Sequence, residues 1–133
     1  MEIRGFRVSA KYQETVKGFP NCKQDTMYHN KFRVVVIRDK VRRSFDFYDS
    51  AHNYDLGIDT LDNEALQSAL YSFLSDAQAG KMDFAKFCSE FGYNKDSLSA
   101  RRTWRACQKT ANKVKGFNLT EDELIDHLNA LNC

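Results

Sequence analysis

The spacing of the apolar residues changes once along the chain, and this change constrains the fold more than any other feature. In the first fifty residues, apolar and polar side chains alternate, for example at Phe6, Val8 and Ala10, which is the pattern of a half-buried strand. After residue 62, the apolar residues recur at every third or fourth position, which is the pattern of helices that bury one face. The sequence therefore predicts a β-rich first part and a helical second part.

Three strands are predicted within residues 1–50. The first strand is the alternating stretch around Phe6 to Tyr12, and residues 17–30, which contain the only proline, are predicted to form a mobile loop. The runs FRVVVI and SFDFY are rich in β-branched and aromatic residues, and the basic segment RDKVRR joins them as a hairpin connection. These strands predict a three-stranded antiparallel sheet.

About four helices are predicted in the second part. The expected helix ends are Gly80 and Gly92 for the first two C-termini, and Asp83, Asp96 or Ser97, and Thr120 for the last three N-termini. Thr120 is followed three residues later by Glu123, which together make a capping box. The predicted fold is an α+β class, with a three-stranded antiparallel sheet followed by about four helices packed on one face. We expect one domain over residues 1–133, with a sheet part at 1–50 and a helical part at 62–132.

Composition and hydropathy predict a globular, cytoplasmic protein. Hydrophobic residues make up 42% and charged residues 29% of the chain, which is typical of a globular domain. No apolar run reaches the roughly 18 residues that a membrane-spanning helix needs, and the N-terminal residues lack the apolar region of a signal peptide. Two of the four cysteines, Cys88 and Cys107, fall on apolar helix faces. We therefore predict reduced core thiols rather than disulfides or metal ligands.

Sequence motifs of enzymes are missing from the chain. It contains no phosphate-binding glycine loop, no nucleophile elbow, and no HExxH or CxxC spacing. His29, His52 and His127 lie in three different segments, without the spacing of metal ligands, and are predicted to be surface or loop residues. The sequence predicts no catalytic residue, no metal and no cofactor, and therefore a protein that is not an enzyme.

Charge is distributed in blocks of alternating sign, although the whole chain carries only +2. The successive segments 1–50, 51–94, 95–117 and 118–133 carry net charges of +5, −5, +6 and −4. Blocks of this kind can steer binding partners. The candidate partner-binding basic residues are Arg38, Lys40, Arg42 and Arg43 in the hairpin connection and Arg101, Arg102, Arg105, Lys109 and Lys113 in the third helix. The candidate acidic residues are Asp46, Asp49, Asp55 and Asp59.

Each of these charged groups has two interpretations. The basic hairpin connection could contact phosphates directly, and the acidic segment from Asp46 to Glu64 could imitate a phosphate track. Alternatively, the charges are solvated surface, and Asp59, Asp62 and Glu64 favour the positive end of a helix dipole. Sequence alone leaves both interpretations open.

The segment from Phe87 to Cys107, FCSEFGYNKDSLSARRTWRAC, has the order of a helix-turn-helix motif: a short helix, a glycine turn and a longer basic helix. In that interpretation, the residues in the first turns of the longer helix would read bases, namely Ser97, Ser99, Arg101 and Arg102. The alternative is a packing helix with a basic, solvated face, because Trp104 and Cys107 lie opposite the arginines.

Three segments resemble a family of small, uncharacterised proteins of bacterial phages and mobile elements. The segments are SFDFYDSAHNYDLG, DFAKFCSEFGYNKDS and ARRTWRAC, and the resemblance covers roughly residues 31–117. It implies an anti-CRISPR type of function, in which the protein binds a host Cas effector or its guide-RNA complex in the bacterial cytoplasm and inhibits it without catalysis. The alternative function is a helix-turn-helix-like DNA-binding regulator.

Overall fold

The computed structural model describes residues 1–19, 24–50 and 60–132, without the side chain of Ser50. Four antiparallel strands occupy the first part, in the spatial order β1-β2-β3-β4. Their bounds are Glu2–Ile3 for β1, Phe6–Lys17 for β2, Tyr28–Arg38 for β3 and Val41–Ser50 for β4. The helices follow as α1 (Asn63–Gly80), α2 (Phe84–Phe91), α3 (Leu98–Lys115) and α4 (Glu121–Leu131). The α+β class is confirmed.

The prediction of three strands is wrong, because β1 forms a fourth. Arg4 and Gly5 both adopt positive φ values, 49° and 85°, and turn the chain so that Ile3 pairs with Phe6. This is the conformation of a tight two-residue hairpin turn. A strand of two residues is too short to show an alternating pattern, which explains why the sequence did not reveal it.

The connections between the longer strands are shorter than predicted. The loop expected at residues 17–30 ends earlier, since β3 begins at Tyr28. Residues 20–23 of this loop lie outside the described residues. The basic connection predicted at residues 38–43 is a two-residue turn at Asp39 and Lys40, with φ values of 49° and 69°, so Arg42 and Arg43 belong to β4.

The predicted starts of the last three helices are confirmed. The Asp83 carboxylate accepts a hydrogen bond from the Lys86 amide at 2.8 Å, and the Ser97 hydroxyl accepts one from the Ala100 amide at 3.3 Å. Thr120 and Glu123 form the predicted capping box: the Thr120 amide donates to the Glu123 carboxylate at 3.0 Å, and the Glu123 amide donates to the Thr120 hydroxyl at 3.1 Å. Such caps satisfy amides that the first helical turn leaves without partners. Helix starts were therefore readable from short sequence patterns.

The chain divides into two compact units, Met1–Leu70 and Tyr71–Cys133, with the boundary inside α1. The first unit contains the sheet, and its buried apolar residues are Ile3, Phe6, Val8, Phe32, Val34, Val36, Leu66, Ala69 and Leu70. In the second unit, one core cluster joins Ala79, Phe87, Cys88, Ala100 and Cys107. The prediction of a single domain over residues 1–133 stays a prediction.

Cys88 and Cys107 are free thiols in the core of the second unit, with 2% and 7% of their surface exposed. Their predicted core position is confirmed, whereas Cys22 and Cys133 lie outside the described residues. Burial, followed by the charge of Asp76, raises the pKa of the Cys107 thiol to about 11. Since the thiolate is the reactive form, Cys107 is a poor nucleophile at neutral pH.

We expect the two buried thiols to resist labelling in the folded protein. In a variant carrying Cys22→Ser and Cys133→Ser, maleimide labelling of Cys107 at pH 8 should be at least ~100-fold slower than in denaturant, because both burial and the raised pKa suppress the thiolate. Mass spectrometry of labelled peptides measures the rates. Labelling of folded Cys107 at the denatured rate would show that α3 does not bury this position.

Candidate interaction surface

Helix α3 carries a basic surface in the second unit. Its residues Arg101, Arg102, Arg105, Lys109 and Lys113 are all exposed, and we call them the α3 basic surface. At about 100° per residue they occupy an arc of about 120° around the helix axis. They extend over roughly 18 Å along that axis, at about 1.5 Å per residue. The buried residues Ala100, Cys107 and Val114 lie outside this arc, so the predicted amphipathic character of the third helix is confirmed.

Contacts with the α2 segment hold the first half of α3 in place. The indole Nε1 of Trp104 donates a hydrogen bond to the Met82 carbonyl at 3.0 Å, and the Trp104 ring lies 5.2 Å from the Phe84 ring. The guanidinium of Arg101 lies 4.4 Å from the centre of the same Phe84 ring, on its face. This cation–π contact orients Arg101 and leaves its side chain exposed at one edge of the α3 basic surface.

Three exposed apolar residues lie at the α2–α3 junction. Leu98, Phe91 and Tyr93 expose 71%, 51% and 37% of their surface. Leu98 is the first residue of α3, and its helical position falls within the arc of the α3 basic surface. Phe91 and Tyr93 both pack on the buried Phe87 ring, with ring centres 5.1 and 5.4 Å away. The junction therefore adds apolar surface to a basic helix.

The turn between α2 and α3 is longer than in a typical helix-turn-helix motif. Gly92 ends α2 in the left-handed conformation, with φ of 73°, and six residues separate Phe91 from Leu98. A helix-turn-helix has a turn of three or four residues. In addition, the exposed Leu98 stands at the first position of α3, where a DNA-reading helix would present polar groups. Both features favour another use of this surface, while the regulator function stays a prediction.

The four basic residues predicted at the hairpin do not form one cluster at its tip. The guanidinium of Arg38 donates a hydrogen bond to the Arg4 carbonyl at 3.2 Å, and it lies 4.8 Å from the centre of the Phe6 ring. Arg43 pairs with Val36 and so shares the buried face of the sheet, whereas Arg42 pairs with Ile37 on the other face. Lys40 is exposed in the turn. Because side chains alternate along a strand, neighbouring arginines here point to opposite faces.

The predicted acidic residues are also dispersed. Asp46 lies 3.0 Å from Arg33 and 3.9 Å from Lys31 on one face of the sheet. Asp49 pairs with Asn30 in the register of the other face, and Asp55 and Asp59 lie outside the described residues. Asp62 accepts a hydrogen bond from the Ala65 amide at 2.7 Å, which is the helix-start role that the sequence offered as an alternative.

The structure reveals a further basic surface that the sequence analysis missed. The sheet face opposite Phe6, Val8 and Val36 bears five cationic side chains, and we call it the outer sheet face. These cations are Arg7, Lys11, Lys31, Arg33 and Arg42. Arg7 and Lys11 come from the polar half of the alternating pattern in the first strand, and Arg42 was predicted as part of the hairpin connection. Their convergence depends on the register of three strands, which the local sequence does not specify.

Two of the three histidines differ from their predicted positions. His29 and His127 are buried, with 2% and 8% of their surface exposed, and His52 lies outside the described residues. The prediction of surface histidines is therefore wrong for His29 and His127. Over residues 1–19, 24–50 and 60–132, no group of three or more His, Cys, Asp or Glu side chains is arranged to hold a metal ion. Among the helices described here, none combines the length and apolar character needed to cross a bilayer.

The structure thus defines an α+β protein whose candidate sites are charged, exposed surfaces. No family model, curated protein or solved structure matches the chain. The resemblance to small phage and mobile-element proteins therefore stays a prediction.

Proposed function

We propose that the protein is a non-enzymatic inhibitor of a host CRISPR–Cas effector, which binds the effector directly and blocks its engagement with nucleic acid. The observation that carries this proposal is the exposed Leu98, which lies on the same arc of α3 as the α3 basic surface. The choice of a Cas effector as target rests on the resemblance described above. A cytoplasmic location in the host cell is part of the same proposal.

Cationic and apolar groups together suit a nucleoprotein target better than bare nucleic acid. The α3 basic surface offers five cations to phosphates or acidic side chains. Leu98, Phe91 and Tyr93 add apolar and aromatic surface of the kind that dominates protein–protein binding energy. A guide-loaded effector presents both phosphates and protein at its nucleic-acid channel. A regulator that binds duplex DNA is the alternative, and it is favoured by Arg101 and Arg102 in the first turns of α3.

A mobility-shift experiment separates the two functions. The purified protein is titrated against random duplex DNA, at low and at physiological salt, and against guide-loaded Cas effectors that are binding their DNA targets. We expect no shift of bare duplex at physiological salt, together with loss of the shift caused by one of the effectors. A salt-resistant shift of duplex DNA by the protein alone would support the regulator and contradict the inhibitor.

Variants of α3 test whether this surface makes the contact. Arg105 lies near the middle of the basic arc, so Arg105→Glu should weaken effector inhibition about tenfold or more, since it places a negative charge against an acidic partner surface. Lys115→Glu is the matched control, because it reverses the same charge at an exposed position of α3 outside the arc. Leu98→Ser should also weaken inhibition. Full inhibition by Arg105→Glu and Leu98→Ser would exclude the α3 basic surface as the contact.

A further inference from the structure

The outer sheet face belongs to the first unit and is separate from the residues of the proposed inhibitor contact. Of its cations, Arg7, Lys11 and Arg42 are exposed, and Arg33 exposes 48% of its side chain. Lys31 is half-buried.

Three carboxylates share this face: Glu14 and Asp46 lie 4.0 and 3.9 Å from Lys31, and Glu2 pairs with Arg7. The five cations exceed them by two, and this excess gives the face a positive potential that favours a polyanionic ligand.

The register of the strands arranges four of these five cations in two rows. In the first row, Arg7 pairs with Ile37, which pairs with Arg42. The two arginines are the ends of this row and lie about 10 Å apart, since neighbouring strands are about 4.8 Å apart. Lys11 pairs directly with Arg33 in the second row. The two rows are four positions apart along β2, a distance of about 13 Å. The cations are thus spread over an area that several consecutive phosphates of one strand can cover.

Small side chains lie between the two rows. Ser9 pairs with Val35, which pairs with Ser44, and these three residues share the outer sheet face. Ser9 is exposed, and Val35 and Ser44 are half-buried. The short side chains leave a shallow strip between the longer arginines and lysines. A flexible chain with phosphates along its length can lie in such a strip.

An aromatic group lies beyond the second row on the same face. Tyr48 pairs with Lys31, and the Phe19 ring contacts Tyr48 edge-on, with ring centres 6.1 Å apart. Phe19 also stacks on the buried His29 ring at 3.9 Å, yet it exposes 45% of its surface. The exposed part of this ring is available for stacking by an unpaired base.

Asp25 fixes the position of Phe19. Its carboxylate accepts hydrogen bonds from the Met27 amide at 3.0 Å and the Phe19 amide at 2.8 Å, and it lies 2.8 Å from Nε2 of His29. The hydrogen bond from the Met27 amide lowers the pKa of the Asp25 carboxyl, and His29 and the Phe19 amide make smaller contributions in the same direction. Phe19 is therefore anchored through its backbone and through the ring beneath it, which limits the entropy lost when a base stacks on it.

We propose that the outer sheet face binds single-stranded nucleic acid, with phosphates on the two cation rows and an unpaired base on Phe19. Single strands are bound by this combination of basic surface and exposed aromatic ring, because every base has a face that can stack. A duplex hides those faces within its own stack. This activity goes beyond the proposed effector inhibition and uses residues of the other unit.

Asp46 opposes the ligand in this proposal. It lies at the β4 end of the second row, 3.0 Å from Arg33 and 3.9 Å from Lys31, so it reduces the positive potential of the outer sheet face. Removing its charge should therefore strengthen binding of single strands.

Fluorescence anisotropy with a short fluorescein-labelled oligouridine strand tests the proposal. We expect saturable binding at low salt that weakens as salt rises, and weaker binding of a labelled duplex of the same length. The triple variant Arg7→Gln, Lys11→Gln and Arg42→Gln should reduce the slope of log affinity against log salt by about 2, at about 0.7 per lost phosphate contact on a single strand. Phe19→Ala should weaken binding about tenfold.

Two further variants decide whether the outer sheet face is responsible. Asp46→Asn should tighten oligouridine binding severalfold. The control variant Lys81→Gln, Lys86→Gln and Lys95→Gln removes three exposed cations that belong to neither basic surface, and it should bind oligouridine as the unaltered protein does. No binding at low salt, a preference for the duplex, or an equal loss of binding in the control variant would each overturn the proposal. Since effector inhibition is measured separately, either proposal can fail without the other.

Discussion

Gly80→Ala is expected to destabilise the protein by about 3 kcal/mol, although alanine is the better helix former. Gly80 is the last residue of α1, and it lies directly against the backbone of α3. A Cβ atom at this position would overlap the Cys107 carbonyl group, and it would also lie too close to the Gln108 amide nitrogen. These are backbone atoms within a helix, so they cannot rotate away as a side chain can. The two helices would have to separate.

The cost of that separation comes from the core cluster of the second unit. Ala79 and Cys107 belong to this cluster, so a displacement of α3 removes contacts around both residues. Urea denaturation followed by circular dichroism measures the change in the free energy of unfolding. Gly92→Ala is the control, because a Cβ there meets nothing within 4 Å and only the positive φ of 73° opposes it, at about 1 kcal/mol. Equal effects of the two variants would contradict the close contact at Gly80.

The helical part of the fold was largely predictable because its signals are local. Each N-cap side chain accepts a hydrogen bond from the amide three residues later in the chain, at Asp83, Ser97 and Thr120. A short segment of sequence therefore contains both partners. The basic and buried sides of α3 also follow from the spacing of its residues, with Cys107 and Val114 on the buried side. No information from distant parts of the chain was needed for these predictions.

The sheet and its surfaces were less predictable because they depend on pairing between distant residues. Lys11 and Arg33 are 22 positions apart, and only the register of β2 and β3 places them side by side. A bulge after Tyr12 shifts that register partway along the strand. The same alternation separates Arg42 from Arg43, which are adjacent in sequence but lie on opposite faces. Sequence therefore identified the charged residues more reliably than the surfaces that they form.

Phe87→Ala is expected to lower the free energy of unfolding by about 3 to 5 kcal/mol, which is the usual range for removing a buried aromatic ring. Phe87 exposes only 2% of its surface and belongs to the core cluster of the second unit. Its ring also packs against the rings of Phe91 and Tyr93, with ring centres 5.1 and 5.4 Å away. The loss therefore includes a cavity and the contacts of two neighbouring rings. Thermal or urea denaturation measures this change in the free energy of unfolding.

Phe91→Ala is the matched control, since it removes the same side chain one helical turn later. Phe91 exposes 51% of its surface, so its loss should cost about 1 kcal/mol or less. If the α2–α3 junction binds a partner, Phe91→Ala should nevertheless weaken effector inhibition, because exposed aromatic residues contribute strongly at protein interfaces. Comparable destabilisation by both variants would show that Phe91 is part of the core, and Leu98 would then carry the apolar part of the proposed contact.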